Sequence, residues 1–189
     1  MTTVEYPVGI DLAWIACDRH GEIAVFYSAG PGPIPKTVLE LTEAEDASLE
    51  TFLLGLPIVC GAEIKGEFPS TAPEGKGSFN EPARQGCYVF DWSDVHRARG
   101  LLKAYERCAL PLMPLTVETL PVDIQTLLRP LTFADIAFRD CPVLDVEKHF
   151  ECLLPPPFEP IDLPQQPDKL GVINAVIKWT KNILSTERK

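Results

Sequence analysis

Three stretches of this chain place nucleophiles, acids and bases within a few residues of one another. Cys17, Asp18, Arg19 and His20 are consecutive, Asp91, Ser93, Asp94 and His96 share the run DWSDVHRARG, and Cys87 stands just before them in GCYVF. Zinc needs three or four converging ligands, and the first stretch reads as a hairpin tip that spreads Cys17, Asp18 and His20 apart. No metal is expected there. A Ser–His–Asp triad needs its nucleophile on a strained turn beside an oxyanion hole. No GxSxG is present, and Ser93 beside Asp94 reads as a helix cap or turn residue. Cys87 and His96 would make a thiol dyad, but Cys87 alternates within an apolar strand, where a thiol is buried and inert. Asp11 interrupts the apolar run VGIDLAW. An acid in a core strand is hydrogen-bonded, at a sheet edge, or functional, and no second carboxylate has the spacing of a glycosidase pair. His149, beside Phe150, falls within a predicted helix. No catalytic residue and no cofactor is assigned.

The run GPGPIP, residues 30–35, resembles a phosphate loop only in its glycines. Phosphate loops bind through successive backbone N–H groups, and proline has none. The stretch is expected to be a stiff, extended linker leaving a hairpin.

The elements that must position these residues follow from periodicity. Val8, Ile10, Leu12, Trp14 and Ala16 alternate, which predicts a strand from Val8 to Cys17. Glu22 to Ser28 predicts a second strand with both faces partly covered. DRHG between them predicts a hairpin in which Asp18 caps the turn, Gly21 takes a positive φ, and Arg19 and His20 meet water. LTEAEDASLETFLLGLP predicts a helix with Thr42 and Glu45 as a capping box, Gly55 past its end, and Leu49, Phe52, Leu53 and Leu56 as its buried stripe. Residues 57–64 predict a short strand, 65–85 a long loop, and 86–92 a strand with Tyr88, Phe90 and Trp92 on one face. Further strands are expected over 101–110 and 131–138, and helices over 120–130 and 145–154, the last capped by Asp145. A proline-rich spacer over 155–167 and an amphipathic helix over 168–189 complete the chain. There is no internal repeat and no heptad run. The expected fold is a single α+β domain over 1–154, with a twisted mixed or antiparallel sheet flanked by helices.

At 189 residues, 46% hydrophobic and 23% charged, the composition is that of a globular protein with one core. No apolar run reaches the roughly 18 residues a membrane span needs, and MTTVEYPVGI lacks a basic n-region. The cytosol is the expected location. Six cysteines are scattered without a CxxC, which predicts reduced, mostly buried thiols. The net charge is −10. Residues 1–100 carry 7 Lys/Arg against 15 Asp/Glu, 101–160 carry 5 against 9, and 161–189 carry 5 against 3. An acidic body disfavours nucleic acid, whose phosphates need Lys and Arg, and favours a basic protein partner. The thin basic face of the terminal helix speaks against a membrane surface.

The stretches YPVGIDLAWIACDRHGEIAVFYSAGPGPIP, VFDWSDVHRA and AYERCALPLMPLTVETLP resemble a group of small bacterial proteins. The shared pattern is a GxD-x-x-W-x-A-x-D-x-x-G opening, a GPIP loop, a later DW-x-D and a Y-x-x-x-x-x-P stretch, spanning roughly residues 6–150. Several proteins of this group look like immunity proteins encoded beside polymorphic toxins of contact-dependent inhibition or type VI secretion loci. The resemblance implies neutralisation by binding, with no catalytic residues to carry over. On this reading the partner is a cognate toxin, basic where it binds substrate, and the contact residues are Glu43, Glu45, Asp46, Glu50, Glu67, Glu74, Phe79, Glu81, Asp91 and Asp94. Two other readings stand beside it. One is a small hydrolase using Cys87 or Asp11 with His96. The other is an adaptor or secretion chaperone using the terminal helix.

Overall fold

The computed structural model describes residues 4–44, 52, 55–65, 79–92 and 103–156. The chain divides into two compact units, Met1–Pro156 and Pro157–Lys189, and every described residue belongs to the first. The spacer beyond Pro156 and the terminal helix lie outside the described residues.

In chain order the elements are β1 (Ala13–Cys17), β2 (Ile23–Tyr27), β3 (Ile34–Pro35), α1 (Lys36–Ala44), β4 (Ala62–Ile64), α2 (Asn80–Arg84), β5 (Tyr88–Trp92), β6 (Tyr105–Pro111), α3 (Val122–Leu128), β7 (Val143–Leu144) and β8 (Cys152–Leu153), with single 3-10 turns between the later ones. β1 and β2 form the expected antiparallel hairpin, in register from Ala13 opposite Tyr27 to Cys17 opposite Ile23. β5 lies parallel to β2, and β6 antiparallel to β5. The far edge of β6 is shared by β4 and β7, both antiparallel to it. The result is an open mixed sheet in an α+β domain. β3 and β8 make a separate two-stranded ribbon.

Period-2 alternation decides which side chains fill which layer. Trp14 and Ala16 of β1, Ala24 and Phe26 of β2, and Tyr88 and Phe90 of β5 point into one core cluster, joined by Tyr105, Phe133 and Phe138. Ile15, Cys17, Ile23 and Val25 point the other way, onto Ile124 and Leu128 of α3. Both faces of the central strands are therefore covered, as their continuous apolar sequences require. Trp14 stacks on Phe26 at 4.1 Å and Phe26 on Phe90 at 5.0 Å, while Tyr105 meets Trp14 edge-on at 6.0 Å. The Tyr105 hydroxyl donates to the Pro33 carbonyl at 2.9 Å. Burial pushes its ionisation above the ordinary tyrosine range. That bond draws GPGPIP against the sheet. Gly32 is required there, because a Cβ would lie 2.8 Å from the Ser28 carbonyl oxygen and 2.9 Å from the Tyr105 hydroxyl. The stretch is a connector without an anion cradle, but a buried one rather than a free extended linker.

Several expected elements differ. β1 starts at Ala13, not Val8, because the chain turns at Pro7–Gly9 and leaves Val8 and Ile10 66% and 56% exposed. α1 begins at Lys36, directly after Pro35, so Thr42 lies inside the helix rather than capping it. Val38 and Leu39 are buried in the core and anchor that early start. Phe52 and Leu56 of the expected stripe do pack on the second core cluster, but Gly55 is helical rather than past the end. Leu49 and Leu53 lie outside the described residues. The loop expected over 65–85 ends in α2.

Residues 131–138 form no strand. Thr132 makes a single bridge with Cys17, the Phe133 N–H donates to the Cys17 carbonyl, and the chain then turns through Phe138–Asp140. Leu131, Phe133 and Phe138 imitate alternation while anchoring an irregular segment. The helix expected over 145–154 is one 3-10 turn, Val146–Lys148, and the Asp145 side chain makes no capping bond. The backbone that follows is claimed by β3: the Lys36 N–H donates to the Glu151 carbonyl at 2.9 Å, and Ile34 pairs with Leu153.

Candidate functional site

Acidic side chains gather at both ends of the β1–β2 hairpin. At the turn end, Asp18 is 1% exposed. Its Oδ1 accepts the N–H groups of His20 at 2.8 Å and Glu22 at 2.9 Å, and its Oδ2 accepts the Phe138 N–H at 2.9 Å. Gly21 takes φ +75°, and Arg19 and His20 are exposed, as the turn chemistry predicts. Glu22, also buried, accepts the Tyr88 hydroxyl at 2.9 Å and the Arg139 guanidinium at 2.6 Å. Arg107 donates to the carbonyl oxygens of Phe138 and Arg139, which fixes the same segment from below. Burial pushes the Tyr88 hydroxyl up to about 12, helped by its bond to Glu22 and the Glu22 charge, with Arg139 opposing. Every acid oxygen named here has a donor, so this end is a structural clasp. Sequence reasoning saw Asp18 only as a turn residue and did not single out Glu22 or Arg139. Their pairing joins positions 117 residues apart.

At the open end the arrangement is different. Tyr27 closes β2, and Asp91 of β5 is its cross-strand partner. Phe79 packs on the Tyr27 ring at 5.8 Å. Glu81 stands in the first turn of α2. Asp11 precedes β1, is exposed, and accepts the Ala29 N–H at 2.7 Å. It is a turn-bracing acid at the sheet end, not an acid inside a core strand. The Tyr27 hydroxyl is pushed up to about 12, first by burial and then by the charges of Asp11, Cys87, Glu81 and Asp91. Three carboxylates thus act electrostatically on one half-buried phenol. Phe79, Glu81 and Asp91 were expected as contact residues, and the fold brings them together. Asp11 and Tyr27 were not expected with them.

Glu43 lies in α1. Glu45, Asp46, Glu50, Glu67, Glu74, Asp94, Ser93 and His96 lie outside the described residues. Cys87 is fully buried, and burial pushes its thiol up to about 12, with Cys60 adding to the shift. A thiol so held is protonated at neutral pH and is a poor nucleophile. His149 meets Asp135 at 3.2 Å and the edge of Phe133, half-buried. Among the described residues no three His, Cys, Asp or Glu side chains group as metal ligands, and no helix is long and apolar enough to cross a membrane.

The chain matches no protein-family model, no curated protein and no solved structure.

Proposed function

We propose that this chain is an immunity protein that neutralises a cognate toxin by binding it through an acidic surface. The observation that carries the reading is the group around Tyr27. The charges of Asp11, Glu81 and Asp91 act on the Tyr27 phenol, Asp91 is its partner across the sheet, and Phe79 packs on its ring. Carboxylates at the rim attract a basic surface and speed encounter, and a rigid aromatic pair at the centre supplies the anchor that protein interfaces favour. The acidic excess lies in residues 1–160, which carry 12 Lys/Arg against 24 Asp/Glu. The basic active site of a toxin that handles nucleic acid or nucleotides is a surface of complementary charge. The chain's role there is occlusion: it covers the site and performs no chemistry.

The test is co-expression with the neighbouring open reading frames of its own bacterium. Rescue of growth from one neighbour's toxicity, with both proteins recovered in one complex, is the expected result. No complex and no rescue, in cells where the neighbours are expressed, would overturn the reading.

A further inference from the structure

The sheet carries a second binding feature, at the edge farthest from β1. On either side of β4, the Lys65 N–H donates to the Cys108 carbonyl and the Gly61 carbonyl accepts the Leu112 N–H. The register pairs Glu63 with Leu110 between them. Backbone groups alternate in direction along an antiparallel strand, so residues 61, 63 and 65 bond to β6. Ala62 and Ile64 therefore turn their N–H and C=O groups outward, and among the described residues nothing pairs with them. An open edge of this kind is a template for another strand. The flanks are apolar and exposed: Ile58 and Val59 on the approach to β4, Leu112 and Met113 on the exit from β6. The Gly61–Leu112 bond and the 3.6 Å approach of the Cys60 sulfur to the Met113 carbonyl hold the two flanks together.

The charges on this strand select its occupant. The sequence Ala62-Glu63-Ile64-Lys65 is self-complementary in one antiparallel register and repulsive in the neighbouring one. If two copies pair with Ala62 opposite Ile64, Glu63 meets Glu63. If they pair with Ile64 opposite Ile64, Glu63 of each copy meets Lys65 of the other, twice across the two-fold axis. The outward N–H and C=O of Ile64 then exchange both bonds with the same groups of the second copy. Glu63 and Lys65 fall in the non-hydrogen-bonded positions, where Cα atoms approach to about 4.5 Å and side-chain pairs act most strongly. Both side chains are exposed and free to meet.

We propose that β4 pairs with β4 of a second copy of this chain in the Ile64-to-Ile64 register, closing a two-fold dimer with a continuous sheet. The contact is isologous, so each pairing is made twice. It lies at the opposite sheet edge from the β1–β2 hairpin and is argued from the β4 backbone and charges alone, so it does not rest on the immunity reading.

Sedimentation velocity on the full chain over a concentration series tests it. The expected result is a reversible monomer–dimer equilibrium. Glu63→Lys and Lys65→Glu each replace two attractive pairs by two repulsive ones and are expected to weaken the dimer about tenfold or more. The double swap, Glu63→Lys with Lys65→Glu, restores complementarity and is expected to restore the dimer. Ile64→Pro removes an outward donor that β6 does not use and is expected to give a monomer. All three positions are at the surface, and an unchanged far-ultraviolet circular dichroism spectrum confirms the fold in each of the four variants. A wild-type chain that stays monomeric at every concentration would overturn the proposal. So would a dimer that ignores the single swaps, or one that the double swap does not rescue.

Discussion

At the turn end of the β1–β2 hairpin, Asp18 and Glu22 accept three backbone N–H groups, a tyrosine hydroxyl and a guanidinium. At the open end of the same hairpin, Asp11 braces one exposed N–H, while Glu81 and Asp91 load charge about a half-buried phenol. The residue types are the same and the sheet is the same. What differs is what the acids act on. The segment 132–140 folds over the turn end and brings Arg139 and the Phe138 N–H with it. At the open end the acids come from the approach to β1, from α2 and from β5, and their charges act together on one hydroxyl. Acids at the first end hold the fold. Acids at the second give the surface its sign.

The sharpest way to break this contrast is Asp18→Ala. Three N–H groups lose their acceptor, two of them in buried surroundings, and a cost of about 3 kcal/mol or more is expected. Chemical denaturation measures it, and a loss under about 1 kcal/mol would mean that the clasp is not structural. Arg139→Ala is expected to cost less, because its side chain is 56% exposed and solvent screens the pair with Glu22. The same denaturation series should rank it below Asp18→Ala.

A third expectation concerns pH. Tyr27 and Tyr88 are each raised from 10.0 to about 12 in the fold. The native state therefore keeps two protons that the unfolded chain releases first. Their contribution is complete below pH 10 and is lost as pH rises through about 12. Stability should fall across that interval, and Tyr88→Phe should flatten the fall. Absorbance near the tyrosinate band during alkaline titration checks the assignment. The smallest effect is expected at the hairpin tip. His20→Ala should shift stability by no more than about 0.5 kcal/mol, since the side chain is exposed and the turn bond there uses its backbone.

The sequence made the central strands readable because both of their faces are buried, and alternation of large apolar residues survives that. β1, β2, β5 and β6 all follow from it, and the hairpin turn follows from Asp18 and Gly21. The parallel pairing of β2 with β5 carries no local signature, since it is set by which strands meet after the intervening 60 or so residues have folded. The two-residue strands β3, β7 and β8 are too short for any periodicity. Leu131, Phe133 and Phe138 look like strand residues because burial alone produces the same spacing. Glu151–Leu153 looks helical until β3 claims its backbone. The candidate site divides along the same line. Phe79, Glu81 and Asp91 were legible as an acidic, aromatic-edged stretch. Asp11 was misplaced with β1 because Val8 and Ile10 alternate without being buried, and Tyr27 was read as a strand residue only. Their convergence depends on strand order, which no local pattern encodes.

The central claim is that charge at the open end of the hairpin, not charge in general, binds the partner. Two exposed or half-exposed acids make the comparison: Glu81 beside Tyr27, and Glu118 beside the Gly21 turn. Glu81→Lys and Glu118→Lys change the net charge equally. Affinity for the proposed toxin partner, titrated at low and high salt, is the measurement to make. The account predicts that Glu81→Lys weakens binding about tenfold at low salt, roughly 1.4 kcal/mol, and flattens its salt dependence, while Glu118→Lys leaves both nearly unchanged. Equal losses in the two variants, or no loss in Glu81→Lys, would contradict it.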